Sequence, residues 1–143
     1  MTRKRVVSLV VALMLTFGIG STVFAAVTTV TIPSLNYFIQ QYVTQNDQVT
    51  FVYKNTTGST QMAVFRISNV NYNDNGTGEV AGKLTGSYSM LLPNGSVVPL
   101  GTFGGGNLAG GIGNLAPNSS FVVQVKAAPG ISSTAFKIKF DPQ

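Results

Sequence analysis

The chain has no cysteine, no histidine and no tryptophan. Without cysteine there is no disulfide framework and no thiolate nucleophile; without histidine, the usual general base and the commonest transition-metal ligand are missing. Zinc sites and catalytic triads are thereby excluded. The lack of tryptophan removes the largest platform for stacking a sugar ring and leaves that task to tyrosine. Charge is scarce as well, with nine basic and four acidic residues in 143. Arg3, Lys4 and Arg5 account for three of the nine, so the rest of the chain carries six cations against four acids, a net charge of +2. A nucleic-acid binder needs a basic stripe with interleaved aromatics, and here Lys137 and Lys139 form the only close pair, predicted to lie on the solvent face of one strand. Of the acids, Asp47, Asp74 and Glu79 fall in or beside predicted turns and Asp141 lies near the end of the chain. None has the setting of a paired-carboxylate catalyst, so no catalytic residue, metal ligand or cofactor is expected.

What is present begins with a leader. Arg3, Lys4 and Arg5 precede an apolar run from Val6 to Ile19, followed by Val23-Phe24-Ala25, the pattern of a secretory signal peptide with cleavage before Ala26. The run is too short for a permanent anchor and no later stretch reaches spanning length, so an extracellular or cell-surface protein without a transmembrane anchor is expected. Residues 26–143 number 118, enough for one domain that buries a core without staples. The expected organisation is a signal peptide over 1–25, a β-prone arm over 26–33 closed by Pro33, and a β-sandwich over 34–143.

Period-two alternation carries the fold assignment. Val49, Phe51 and Tyr53 alternate with Thr50, Val52 and Lys54; Leu84 to Leu92, Phe121 to Val125 and Phe136 to Phe140 repeat the pattern. Met62 to Ile67 is apolar on both faces except at Arg66, which predicts a central strand. Pro93-Asn94-Gly95-Ser96 predicts a hairpin, because Asn-Gly accepts the positive φ angles of a tight turn. Ser34 to Gln45 fits a helical face through Leu35, Phe38, Ile39, Tyr42 and Val43 and nearly fits a strand face; its β-branched and aromatic content favours strand. Gly101 to Ser120 holds seven glycines and reads as a long loop or a set of short edge pieces. Strands at this spacing predict an all-β single domain, an Ig-like or jelly-roll-like β-sandwich.

The remaining motifs are weak. Asn71-Tyr72-Asn73-Asp74-Asn75-Gly76 has the oxygen spacing that opens a calcium loop, but Asp74 is out of phase and Gly82 stands where a bidentate Glu belongs, so a polar hairpin loop is the better reading. Asn55, Asn75, Asn94 and Asn118 each begin a glycosylation sequon in a predicted turn, where it would be accessible. A buried Lys beside an Asn would allow an isopeptide cross-link in place of a disulfide, though the sequence cannot place such a pair.

The run Val43 to Ser59, with its polar turn, alternating strand and Asn55-Thr56-Thr57-Gly58 turn, resembles the opening of prokaryotic surface Ig-like domains of the cell-adhesion-related type. Leu115-Ala116-Pro117-Asn118 and the strand to Val125 are similar to the Leu-Ala-Pro-Gly turn and following strand of those domains. Together these stretches cover about a quarter of the exported chain. The resemblance implies a sandwich fold and no particular activity. The middle of the chain departs from it, which leaves a jelly-roll order open.

Two functions are expected from these features. In the first, the protein is a non-enzymatic structural subunit whose partners are copies of itself, forming an extracellular fibre, pilus-like filament or surface layer. Val27, Val30 and Ile32 of the arm would then fill slots on a neighbour's sheet edge. Equally, the arm could be the edge strand of its own domain. In the second, the protein is a secreted adhesion or carbohydrate-binding module for cell-surface polysaccharide, with Tyr37, Tyr42 and Tyr72 as the candidate contact face.

Overall fold

Alternating apolar residues commit most of the described chain to strands. The computed structural model describes residues 26–70, 82–104 and 110–142, with Tyr37 by its backbone alone. Nine strands follow in order: β1 Val27–Ile32, β2 Tyr37–Thr44, β3 Gln48–Lys54, β4 Gln61–Ser68, β5 Leu84–Leu91, β6 Val97–Phe103, β7 Gly110–Leu115, β8 Ser120–Ala127 and β9 Ser133–Pro142. They form a five-stranded sheet, β1-β3-β8-β5-β6, and a four-stranded sheet, β2-β9-β4-β7. Among the described residues no helix is long and apolar enough to cross a membrane.

The strand order decides between the two expected topologies. From β2 onward the chain winds inward from both ends: β2 pairs β9, β3 pairs β8, and β4 pairs both β9 and β7, while β5 pairs both β8 and β6. Such winding of eight strands into two facing sheets is a jelly roll. β1 is an addition to it, running parallel to β3 from Val27↔Gln48 to Ile32↔Tyr53.

The two sheets are joined by aromatic rings. Of the seven phenylalanines beyond Ala25, Phe51, Phe65, Phe103, Phe121, Phe136 and Phe140 are buried. Phe65 on β4 sits at the centre, with ring centroids of Phe103 and Phe121 at 5.7 Å and Tyr88 at 5.1 Å across the sandwich. Phe51 meets Phe136 edge-on at 6.0 Å. These rings supply the cohesion that disulfides would give other exported domains of this size.

The expected strand over Ser34 to Gln45 is realised as β2, and the hairpin at 93–96 joins β5 to β6. There Gly95 alone adopts a left-handed φ, 87°, with its N–H donating to the carbonyl of Leu92. Within the glycine-rich segment, 101–103 close β6 and 110–115 form β7, both edge strands, and two of their glycines have a steric reason. A Cβ on Gly101 would lie 2.5 Å from the Tyr88 hydroxyl and one on Gly111 2.5 Å from the Tyr88 ring, so both positions must be bare for that side chain to stand between the sheets. The candidate calcium loop, with Asp74, Glu79 and Tyr72, lies outside the described residues.

Candidate functional site

β2 determines what the four-stranded sheet shows to solvent. Ile39 and Val43 pack into the core, so strand alternation turns Phe38, Gln40 and Tyr42 outward. Phe38 is the one phenylalanine beyond Ala25 that is not buried, 40% exposed, and Tyr42 is 58% exposed. The register then sets partners beside them. Phe38 is opposite Lys139 on β9, and Lys139 is opposite Arg66 on β4. In the adjoining row Gln40 faces Lys137, which faces Ser68. On the other side Asp141 faces Val64, which faces Ile112 on β7.

This outer face therefore collects Arg66, Lys137 and Lys139 with one acid, Asp141, within reach. Lys139 Nζ lies 3.2 Å from Asp141 and Arg66 Nε lies 3.9 Å from it. The ammonium groups of Lys137 and Lys139 lie 5.1 and 4.9 Å from the centre of the Phe38 ring, a cation–π arrangement worth about 0.5–1 kcal/mol at an exposed site. Exposed Met62 and Ile112 extend the face toward β7. Among the described residues, four of the seven large exposed apolar side chains lie here, around a charged centre. The five-stranded sheet shows a different outer face. Its hollow of about 460 Å³ beside the Tyr88/Ser89 bulge is lined by uncharged groups such as Ser87, Ser89, Leu91, Val97 and Gln124.

Of the three tyrosines expected to contact sugar, the side chain of Tyr42 is described. Tyr37 and Tyr42 are five residues apart on one strand, which places their positions on opposite faces of β2, and Tyr72 lies outside the described residues. Phe38, Arg66, Lys137 and Lys139 were not anticipated as a set. The parity of Phe38 against Ile39 and Val43 would have exposed the ring, but nothing local pairs residue 38 with residue 139.

The arm residues are placed by β1. Val27 is 64% exposed, Val30 packs against the core and Ile32 is 3% exposed. The arm is thus the edge strand of its own domain. At its start the Ala26 amide donates to Asp47 Oδ1 at 3.3 Å, while Thr44 Oγ1 donates to Asp47 Oδ2. At its end Pro33 to Asn36 cross to the other sheet, with Asn36 left-handed at φ 63°.

One sequon is overturned. Asn55 is fully buried, and its Nδ2 donates to the carbonyls of Ser59 and Leu115, both at 2.9 Å, and of Ala116 at 3.3 Å. Its Oδ1 accepts from the Thr57 amide at 2.9 Å and hydroxyl at 2.6 Å. With its amide committed in this way, Asn55 offers no acceptor for a glycan in the folded protein, whereas Asn94 and Asn118 are exposed. Asn55 also ties together the two stretches that carried the surface-domain resemblance.

An all-β sandwich of jelly-roll winding is the class that this fold defines. No protein-family model and no curated protein matches the chain. Solved structures match its fold. A periplasmic inhibitor of g-type lysozyme from Aeromonas hydrophila superimposes with a TM-score of 0.55 at 11% identity, covering 83% of this chain and 99% of that one. The pre-peptidase C-terminal domain of a Bacillus anthracis collagenase gives 0.52 at 10% identity, covering 82% and 96%. A Yersinia pseudotuberculosis-derived mitogen gives 0.51 at 8% identity, covering 78% and 88%. At these identities the likeness is one of fold.

Proposed function

We propose that this protein is a non-enzymatic, exported β-sandwich that acts by surface contact, assembling with copies of itself through exchange of β1. The observation that carries this reading is the attachment of β1. It is a terminal strand at a sheet edge, anchored to the core chiefly by Ile32, and it leaves through the Pro33–Asn36 crossing. A cleft of about 460 Å³ lined by Ile32, Pro33, Leu35, Tyr53 and Gln61 adjoins that crossing. A strand held this way can leave its own β3 and take the same place on a neighbour, and head-to-tail repetition gives an open filament. Export rests on the leader pattern before Ala26. The absence of enzymatic activity is supported by the duties of the two described acids: Asp47 holds the start of β1 and Asp141 pairs with Lys139 and Arg66.

The lack of native cysteine makes a direct test possible. Thr29 and Thr50 face each other across β1 and β3, so Thr29→Cys with Thr50→Cys forms a disulfide only where these strands pair. Oxidation during assembly should give covalent ladders on a denaturing gel, with filaments by electron microscopy. Monomeric bands alone, at every concentration tested, would overturn strand exchange.

A second reading, a secreted adhesion module for cell-surface polysaccharide, is favoured by the exposed Phe38 and Tyr42. Phe38→Ser with Tyr42→Ser should abolish retention on isolated cell-wall polysaccharide without lowering thermal stability. Unchanged retention would remove this reading.

A further inference from the structure

We infer that the outer face of the four-stranded sheet binds an acidic polysaccharide, with Lys137, Lys139 and Arg66 taking its anionic groups and Phe38 and Tyr42 supporting its sugar rings. The inference rests on the adhesion reading and gives it a site and a ligand class. Half of the six cations beyond Ala25 converge on this one sheet face, and among the described residues the acid beside them is Asp141. Asp141 lies within ion-pair distance of both Lys139 and Arg66. Lys137 has the Phe38 ring beside it and, among the described residues, no carboxylate at ion-pair distance. An ammonium held over a ring keeps its outward hydrogens for an incoming oxyanion, and it has lost part of its rotamer freedom before binding.

The shape and charge select among anionic partners. Phe38 and Tyr42 are four residues apart on β2, about 13 Å, with the amide of Gln40 between them. An extended chain of polar rings, apolar on their faces and acidic at their rims, can lie along that strip with its acids toward β9. A nucleic acid gains its affinity by neutralising many phosphates, and the three cations that the described residues place on this face neutralise few. A membrane surface would meet charge at the centre of the patch and apolar groups only at its margins, the reverse of an inserting surface.

The test is affinity of the chain starting at Ala26 for polygalacturonate, dextran sulfate, neutral dextran and a single-stranded oligonucleotide, at low and physiological salt. Binding to one or both acidic polysaccharides is expected, with affinity falling as salt rises. The two acidic probes distinguish carboxylate from sulfate as the favoured group. Lys137→Gln should weaken binding about tenfold, the size of one charge-assisted contact, while Lys126→Gln on the other sheet should change it by less than about twofold. Near-UV circular dichroism checks folding; should Lys137→Gln unfold the chain, Arg66→Gln carries the same expectation. Equal losses from Lys137→Gln and Lys126→Gln, tighter binding of the oligonucleotide, or no binding to either acidic polysaccharide would each overturn the inference. Neutral dextran bound through Phe38 but indifferent to Lys137→Gln would overturn it while leaving the adhesion reading in place.

Discussion

Replacement of Asn55 by alanine should destabilise the domain by about 3 kcal/mol, more than any other single polar substitution among the described residues. The side chain is fully buried and links the β3–β4 turn to the β7–β8 turn, two regions 60 residues apart in sequence. Truncation takes the Asn55 partner from the carbonyl of Leu115 and the amide of Thr57, while the Ser59 carbonyl keeps the Thr57 hydroxyl as a donor at 3.0 Å. A net hydrogen bond contributes about 1 kcal/mol, and an orphaned buried group costs about 1–3 kcal/mol. Solvent reaches the Ser59 and Thr57 side of the turn, so the full penalty falls mainly on Leu115, and the sum stays near 3 kcal/mol. Asn55→Asp should cost more than Asn55→Ala, because a carboxylate oxygen would face the two carbonyls that now accept from Nδ2. Thr57→Val, which loses one hydroxyl, should cost about 1 kcal/mol. Urea unfolding of the chain from Ala26 measures all three, with an unchanged slope, and the alanine variant should melt about 12 °C lower. A loss under about 0.5 kcal/mol for Asn55→Ala, the range of an ordinary surface change, would refute the role given to this residue.

Three further outcomes follow from the same geometry. Gly111→Ala should cost about 1–3 kcal/mol because its Cβ meets the Tyr88 ring, and pairing it with Tyr88→Leu should recover part of that loss in a double-mutant cycle; full additivity would show that the ring is not the obstacle. Cleavage before Ala26 puts a new ammonium beside Asp47, so Asp47→Asn should destabilise β1 more in the processed chain than in one still carrying its leader; equal effects in hydrogen exchange would count against that latch. Ile32→Ser should raise amide exchange throughout β1 while the Phe65 cluster stays protected, and it should lower the yield of intermolecular cross-links because the exchanged strand seats Ile32 in the same slot on a neighbour; global unfolding instead would show that β1 is inseparable from the core.

Much of the fold was legible locally. A period of two on Val49–Lys54, Leu84–Leu91 and Phe136–Phe140 needs only the geometry of a strand to become a buried and a wet face. The same rule applied to β2 decides the site: a helix over Ser34 to Gln45 would have grouped Phe38 and Tyr42 with Ile39 and Val43, whereas a strand sends them to opposite sides. The glycines of β6 and β7 were harder to read. Their need for a bare backbone comes from Tyr88, a residue that reaches them only when the sheets face each other.

The sequence by itself determined the all-β class, the lack of thiol and imidazole chemistry, and the inward parity of most strands, because each depends on residue identity or on neighbours within a few positions. The tertiary structure alone decided that β1 runs parallel to β3, that the winding is a jelly roll, that Asn55 is a buried tie, and that Arg66 and Phe38 flank the same lysine of β9. Those outcomes rest on register between segments up to a hundred residues apart. Register is fixed by which faces can be buried together, and no local pattern contains that information.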